Sequence, residues 1–103
     1  MRVAFKMNMF PGMEAEYTKR HDEIWPELVD LLKATGISEY SIFLDAQTNA
    51  LFGFLKLADQ ETMDRLPENP VMRRWWDYMK DIMESNADGS PVSIPLKEVF
   101  FLA

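Results

Sequence analysis

The chain has a single histidine, His21, and no cysteine. Proton transfer near neutrality therefore falls to one imidazole, whose reference pKa of about 6.5 lets it hold or release a proton there. It lies in the stretch Glu16-Tyr17-Thr18-Lys19-Arg20-His21-Asp22-Glu23-Ile24-Trp25-Pro26-Glu27-Leu28. On an α-helix Tyr17, His21, Ile24, Trp25 and Leu28 share one face, the face that also buries Leu31 and Leu32, and Lys19, Arg20, Asp22 and Glu23 take the solvent side. The imidazole points inward. Tyr17, one turn earlier, is spaced so that its phenol reaches the imidazole or a ligand shared with it. The same spacing also suits a core imidazole bonded to a carbonyl and without a chemical role.

Tyr40 on a strand and the tandem Trp75-Trp76 on a later helix are the other groups that a cleft between helices and sheet would gather. Phenols and indoles offer hydrogen bonds from an apolar body. A pyranose suits such walls, because its C–H faces rest on flat rings and its hydroxyl belt needs donors and acceptors. At least one of the two tryptophans is expected to serve as core packing instead. Other chemistries find little support. Thiol catalysis is excluded, no glycine-rich phosphate loop appears among four glycines, and no serine stands in a nucleophile-elbow context. With one histidine and acids scattered over solvent faces, no metal site is expected.

The elements that must position these groups follow from periodicity. Arg2 to Phe10 alternates as a strand, Val3, Phe5, Met7 and Met9 on one side. After Pro11-Gly12, a helical pattern runs from Met13 to about Ile24, then kinks or restarts with Pro26 in a first-turn position, and stops at Gly36. Glu39 to Asp45 and Ala50 to Leu57 form a hairpin through the Ala46–Asn49 turn. Asp59 caps a short helix to about Leu66. Asn69, followed by Pro70, caps a second whose stripe is Met72, Trp75, Met79, Ile82 and Met83. A turn-rich loop from Ser85 to Pro91 precedes a last strand over Leu96 to Leu102.

The order β-α-β-β-α-β predicts an α+β, ferredoxin-like antiparallel sheet with its helices on one face. Tyr40, Ile42 and Leu44 then face the helices. Phe43, Phe52 and Phe54 line the other face, an apolar patch that a two-fold homodimer packing sheet against sheet would cover. At 103 residues the chain is one domain, 1–103. Its net charge of -6 argues against nucleic acid, apolar runs fall short of the ~20 residues that span a bilayer, and Lys6 interrupts any export signal. The absence of cysteine is compatible with the cytosol.

Glu16-Tyr17-x-x-Arg20-His21-x-x-Ile24-Trp25-Pro26-Glu27-Leu28, the Tyr40 strand, Arg74-Trp75-Trp76-x-Tyr78-Met79 and the Ser90-Pro91-Val92-Ser93 to Glu98-Val99-Phe100 ending together resemble the L-rhamnose mutarotase family, nearly end to end. The resemblance implies a dimeric α/β-barrel isomerase that interconverts the α and β anomers of L-rhamnose in the cytoplasm, without a cofactor. It implies that His21 is the proton donor and that Tyr17, Tyr40, Trp75 and Trp76 contact the sugar. Two other classes share the architecture or the aromatic site: cofactor-free or haem-dependent monooxygenases, in which His21 would ligate iron, and sugar-binding modules without turnover.

Overall fold

A computed structural model describes residues 1–103. Strand β1 (Arg2–Asn8) is followed by α1 (Glu14–Asp22), α2 (Pro26–Ala34), β2 (Ile37–Asp45), β3 (Ala50–Leu57), α3 (Gln60–Arg65), a 3-10 turn (Leu66–Glu68), α4 (Pro70–Met79) and β4 (Ile94–Leu96). The sheet is antiparallel throughout, in the order β2-β3-β1-β4. That is the split-βαβ arrangement expected from the element order. No helix is long and apolar enough to cross a membrane.

Alternation decides which face carries the core. Leu51 of β3 and Met7 of β1 are buried with Leu28, Met72, Trp75, Met79, Ile82 and Met83, and Leu55 and Leu57 form a second cluster with Ile37, on which Leu32, Met63 and Leu66 pack. Leu28 is 1% exposed. Burying such a side chain contributes about 1.5–3 kcal/mol, more than the ~0–1 kcal/mol of an exposed ion pair such as Lys80–Asp77. Apolar contact, not surface charge, holds the helical layer on.

Proline chemistry cuts the first helical stretch in two. Pro26 has no N–H to donate, and its ring forces Trp25 into extended backbone (ψ 133°), so α1 ends at Asp22 and α2 restarts with Pro26 in its first turn. Downstream, the Asp59 carboxylate accepts from Glu61 N–H and the Asn69 side chain from Val71 N–H, both at 2.9 Å, as the caps require. The α4 helix stops at Met79, short of the expected Met83. Ile82 and Met83 are nevertheless buried in the turn beyond it.

Two further boundaries differ from expectation. Strand β2 begins at Ile37 rather than Glu39, with a bulge between Ser38 and Ser41. The last strand is Ile94–Leu96, paired with Lys6–Ala4, and not the Leu96–Leu102 run. Pro95 lacks a ladder donor and suits only an edge strand. Val99, Phe100, Phe101 and Leu102 lie outside the sheet and exposed, with the Arg2 guanidinium 3.4 Å from the Phe101 ring centroid. The outer face of the sheet carries Phe43, Phe52, Phe54, Ile94 and Leu96, all exposed.

Candidate active site

Between the helical layer and the inner face of the sheet lies a cleft of about 820 Å³ whose walls include Tyr17, His21, Tyr40, Trp75 and Trp76. All five residues expected at the site from sequence are brought together. α1 supplies Tyr17 and His21, β2 supplies Tyr40, and α4 supplies the tryptophans. Phe5 and Ile42 form part of the floor, and Thr18, Ser90 and Ser93 add hydroxyl-bearing residues to the walls.

His21 is half-buried, with Nδ1 2.9 Å from the Tyr17 carbonyl oxygen. A carbonyl can only accept, so Nδ1 carries the proton and donates, and the neutral ring keeps its lone pair on Nε2. Burial lowers the imidazole pKa below its ordinary value, outweighing the opposing effects of that hydrogen bond and of Asp22. The ring stacks on Tyr17 (centroids 4.4 Å, planes 28° apart) and meets Trp75 edge-on at 5.5 Å. The carbonyl bond expected of a core imidazole is present, and the ring also borders open space. Its main-chain bond occupies one nitrogen, and the ring itself lines the cleft.

Both phenols stay protonated at neutral pH. Burial, with the nearby Tyr40 adding to it, raises the Tyr17 pKa well above the phenol range, and burial pushes Tyr40 up to about 12. Tyr40 is 38% exposed, yet its phenol is crowded by neighbours. Each phenol is thus a neutral donor across the physiological range.

Trp75 is buried, wedged edge-on between Trp25 at 5.1 Å and His21. Trp76 is only partly buried, with the Arg73 guanidinium 5.5 Å from its ring. The tandem pair therefore divides: Trp75 belongs to both core and site, and Trp76 is the more open wall.

Arg20 overturns an expectation. It is buried rather than solvent-facing: Nε donates to Glu16 Oε2 at 2.7 Å, Nη1 to the Tyr78 carbonyl at 2.6 Å and to Asp81 Oδ1 at 2.8 Å, and Nη2 to Asp81 Oδ2 at 3.2 Å. The pairing holds the Asp81 carboxyl below the usual carboxylate range. Helical periodicity placed Arg20 with the charged residues and gave no sign of the partner on the turn after α4. The clamp fixes α1, and with it His21, against the end of α4.

The sequence profile of L-rhamnose mutarotase matches residues 2–102. The chain belongs to the L-rhamnose mutarotase family. The L-rhamnose mutarotase of Brucella anthropi is 58% identical over 101 residues, spanning 98% of this chain and 95% of its own. The crystal structure of the L-rhamnose mutarotase of Formosa agariphila aligns with a TM-score of 0.93 at 50% identity, covering 100% of this chain and 99% of that one. A dimeric ferredoxin-like protein from an uncultured marine organism aligns at a TM-score of 0.58 with 14% identity over 99% of this chain and 91% of its own, which shows a shared fold alone. Membership in the mutarotase family fits a cleft lined by one imidazole, two phenols and two indoles, with Asp22, Lys33 and Glu39 as its charged residues.

Proposed function

We propose that this protein is an L-rhamnose mutarotase, an isomerase that interconverts the α and β pyranose anomers by ring opening and reclosure. Family membership supports the substrate class. The observation that carries the chemistry is a neutral imidazole, tied through Nδ1 to main chain, lining an aromatic cleft of about 820 Å³. Neither the monooxygenase reading nor the non-catalytic one draws support from the family match.

Nε2 of His21 accepts the proton of the anomeric hydroxyl. The O1–H electron pair becomes the C1=O1 double bond, the C1–O5 bond breaks, and its electron pair goes to the ring oxygen O5. The imidazolium hands the same proton to O5, leaving neutral histidine and the open aldehyde. Rotation about C1–C2 presents the other carbonyl face, and the reverse transfers close the ring as the opposite anomer. One nitrogen serves both oxygens because both are bonded to C1. On this reading His21 acts as base before it acts as the proton donor that the resemblance implies.

Tyr17 and Tyr40 hydrogen-bond the oxygens on which charge develops, and Trp76 supplies the flat surface for the C–H face of the sugar. No redox partner or nucleophile enters the cycle. The exposed outer sheet face, with Phe43, Phe52 and Phe54, is covered in a two-fold homodimer packed sheet to sheet. A chain without cysteine is compatible with a place in the cytoplasm.

Saturation-transfer NMR on L-rhamnose across pH tests the mechanism. Exchange above the uncatalysed background is expected to be level from neutral to mildly alkaline pH. It should fall on acidification through the His21 pKa, which lies under the ordinary value of 6.5. The sign follows from the base role: protonation in the resting state removes the acceptor. A catalysed rate that climbs on acidification would mean a resting imidazolium instead, and no exchange above background would refute the activity.

A further inference from the structure

We infer that Glu39 is a positioning residue, whose left-handed backbone closes the bulge that aims Tyr40 into the sugar cleft. The inference deepens the mutarotase reading and rests on it, because it assumes that Tyr40 contacts the sugar. Glu39 has φ 49°, one of two non-glycine residues in the chain with positive φ. An L side chain in that region crowds its own carbonyl, so the conformation persists only where its surroundings impose it.

The ladder shows what imposes it. Ile37 pairs with Leu57 and Ser38 with Lys56, then pairing resumes at Ser41 with Phe54 and Ile42 with Gly53. Glu39 and Tyr40 together stand opposite Leu55. Residues three apart on a regular strand point to opposite faces, yet Ile37 is buried with Leu55 and Leu57, and the Tyr40 ring meets Phe5, which packs against that same cluster. The extra residue at Glu39 reconciles them, as bulges do when they redirect a side chain beside a site.

One neighbour then holds Tyr40 where the bulge sends it. The Phe5 ring meets the Tyr40 ring edge-on, with centroids 6.1 Å apart. Phe5 can lie there because its cross-strand partner is Gly53, where a Cβ would overlap the Phe5 ring. On the other side of the bulge the Glu39 carboxylate pairs with Lys56 Nζ at 2.6 Å. Both groups are more than half exposed, so the ion pair adds little, and backbone conformation is the feature that matters.

Deleting Glu39 would restore a regular strand and leave Ile37, Ser38, Tyr40, Ser41 and Ile42 on their present faces. The core is kept, and so is the aim of Tyr40; what would turn Tyr40 away is a residue at 39 that resists positive φ with the chain length unchanged. The test compares five proteins by saturation-transfer NMR on L-rhamnose, with folding followed by circular dichroism: wild type, Glu39→Gly, the Glu39 deletion, Glu39→Val and Tyr40→Phe. Glycine accepts positive φ without cost, so Glu39→Gly, like the deletion, should keep the wild-type KM within about 2-fold. Glu39→Val, whose β-branched side chain opposes positive φ, should raise KM about 10-fold or more, to the level of Tyr40→Phe, with the pH profile of kcat unmoved.

A folded Glu39→Val variant with wild-type KM, beside a raised KM in Tyr40→Phe, would overturn the role of Glu39. A wild-type KM in Tyr40→Phe would overturn it for a different reason, by removing the sugar contact it assumes. Should Glu39→Val fail to fold, Glu39→Thr takes its place, because it is polar and still β-branched, and so opposes positive φ at constant chain length. A raised KM in that variant then supports the proposal, and an unchanged one overturns it.

Discussion

Replacing His21 with alanine is expected to slow catalysed anomer exchange by about 10²–10⁴-fold, the usual contribution of one well-placed acid-base group. Stability should hardly change. The imidazole is half-buried, and its pKa is lowered because burial disfavours the charged ring, so removing it takes away no stabilising ion pair. The Tyr17 carbonyl that accepts from Nδ1 lies within helix α1, where main-chain bonding already uses it. Sugar affinity measured by calorimetry should persist, since the phenols and Trp76 remain. NMR exchange rates read beside thermal denaturation and calorimetry separate the outcomes. An unchanged rate in the folded variant would remove the imidazole from the mechanism.

Alanine at Trp75 and alanine at Trp76 are expected to fail in different ways. Trp75 is 6% exposed and has Trp25, His21 and Tyr78 within 5.8 Å between ring centroids. Truncating a buried tryptophan leaves a cavity and costs about 3–5 kcal/mol, a large share of the ~5–15 kcal/mol that holds a domain folded. Trp75→Ala should therefore lower the unfolding midpoint sharply, and it should also release one side of the His21 ring. Trp76 sits at the open wall. Trp76→Ala should leave the midpoint within a few degrees and raise KM for L-rhamnose. Thermal denaturation and exchange kinetics on both variants decide it, and the reverse pattern would exchange the two assignments.

What could be read from the chain alone depended on how local each signal was. Pro26 after Trp25, the Asp59 and Asn69 caps and the alternation of β1 and β3 act over a few residues, and each element formed where its own residues called for it. The Tyr17–His21 spacing likewise survives folding, because one turn of helix fixes it. Arg20 was misplaced because its partner, Asp81, is distant in sequence and helical periodicity carries no knowledge of it. The bulge at Glu39 escaped for a related reason. Glutamate is not a residue that announces positive φ, and only the pairing with β3 reveals the extra position. The Val99–Leu102 run misled differently: apolar residues were taken as strand, whereas here they lie exposed outside the sheet.

The bare aromatic face of the sheet has a thermodynamic consequence. A protomer that leaves Phe43, Phe52 and Phe54 uncovered completes its burial only on meeting a twin, so folding and assembly share one equilibrium and mass action enters the melting curve. The unfolding midpoint should climb with protein concentration across a dilution series, and a midpoint indifferent to dilution would leave that face without a self-partner.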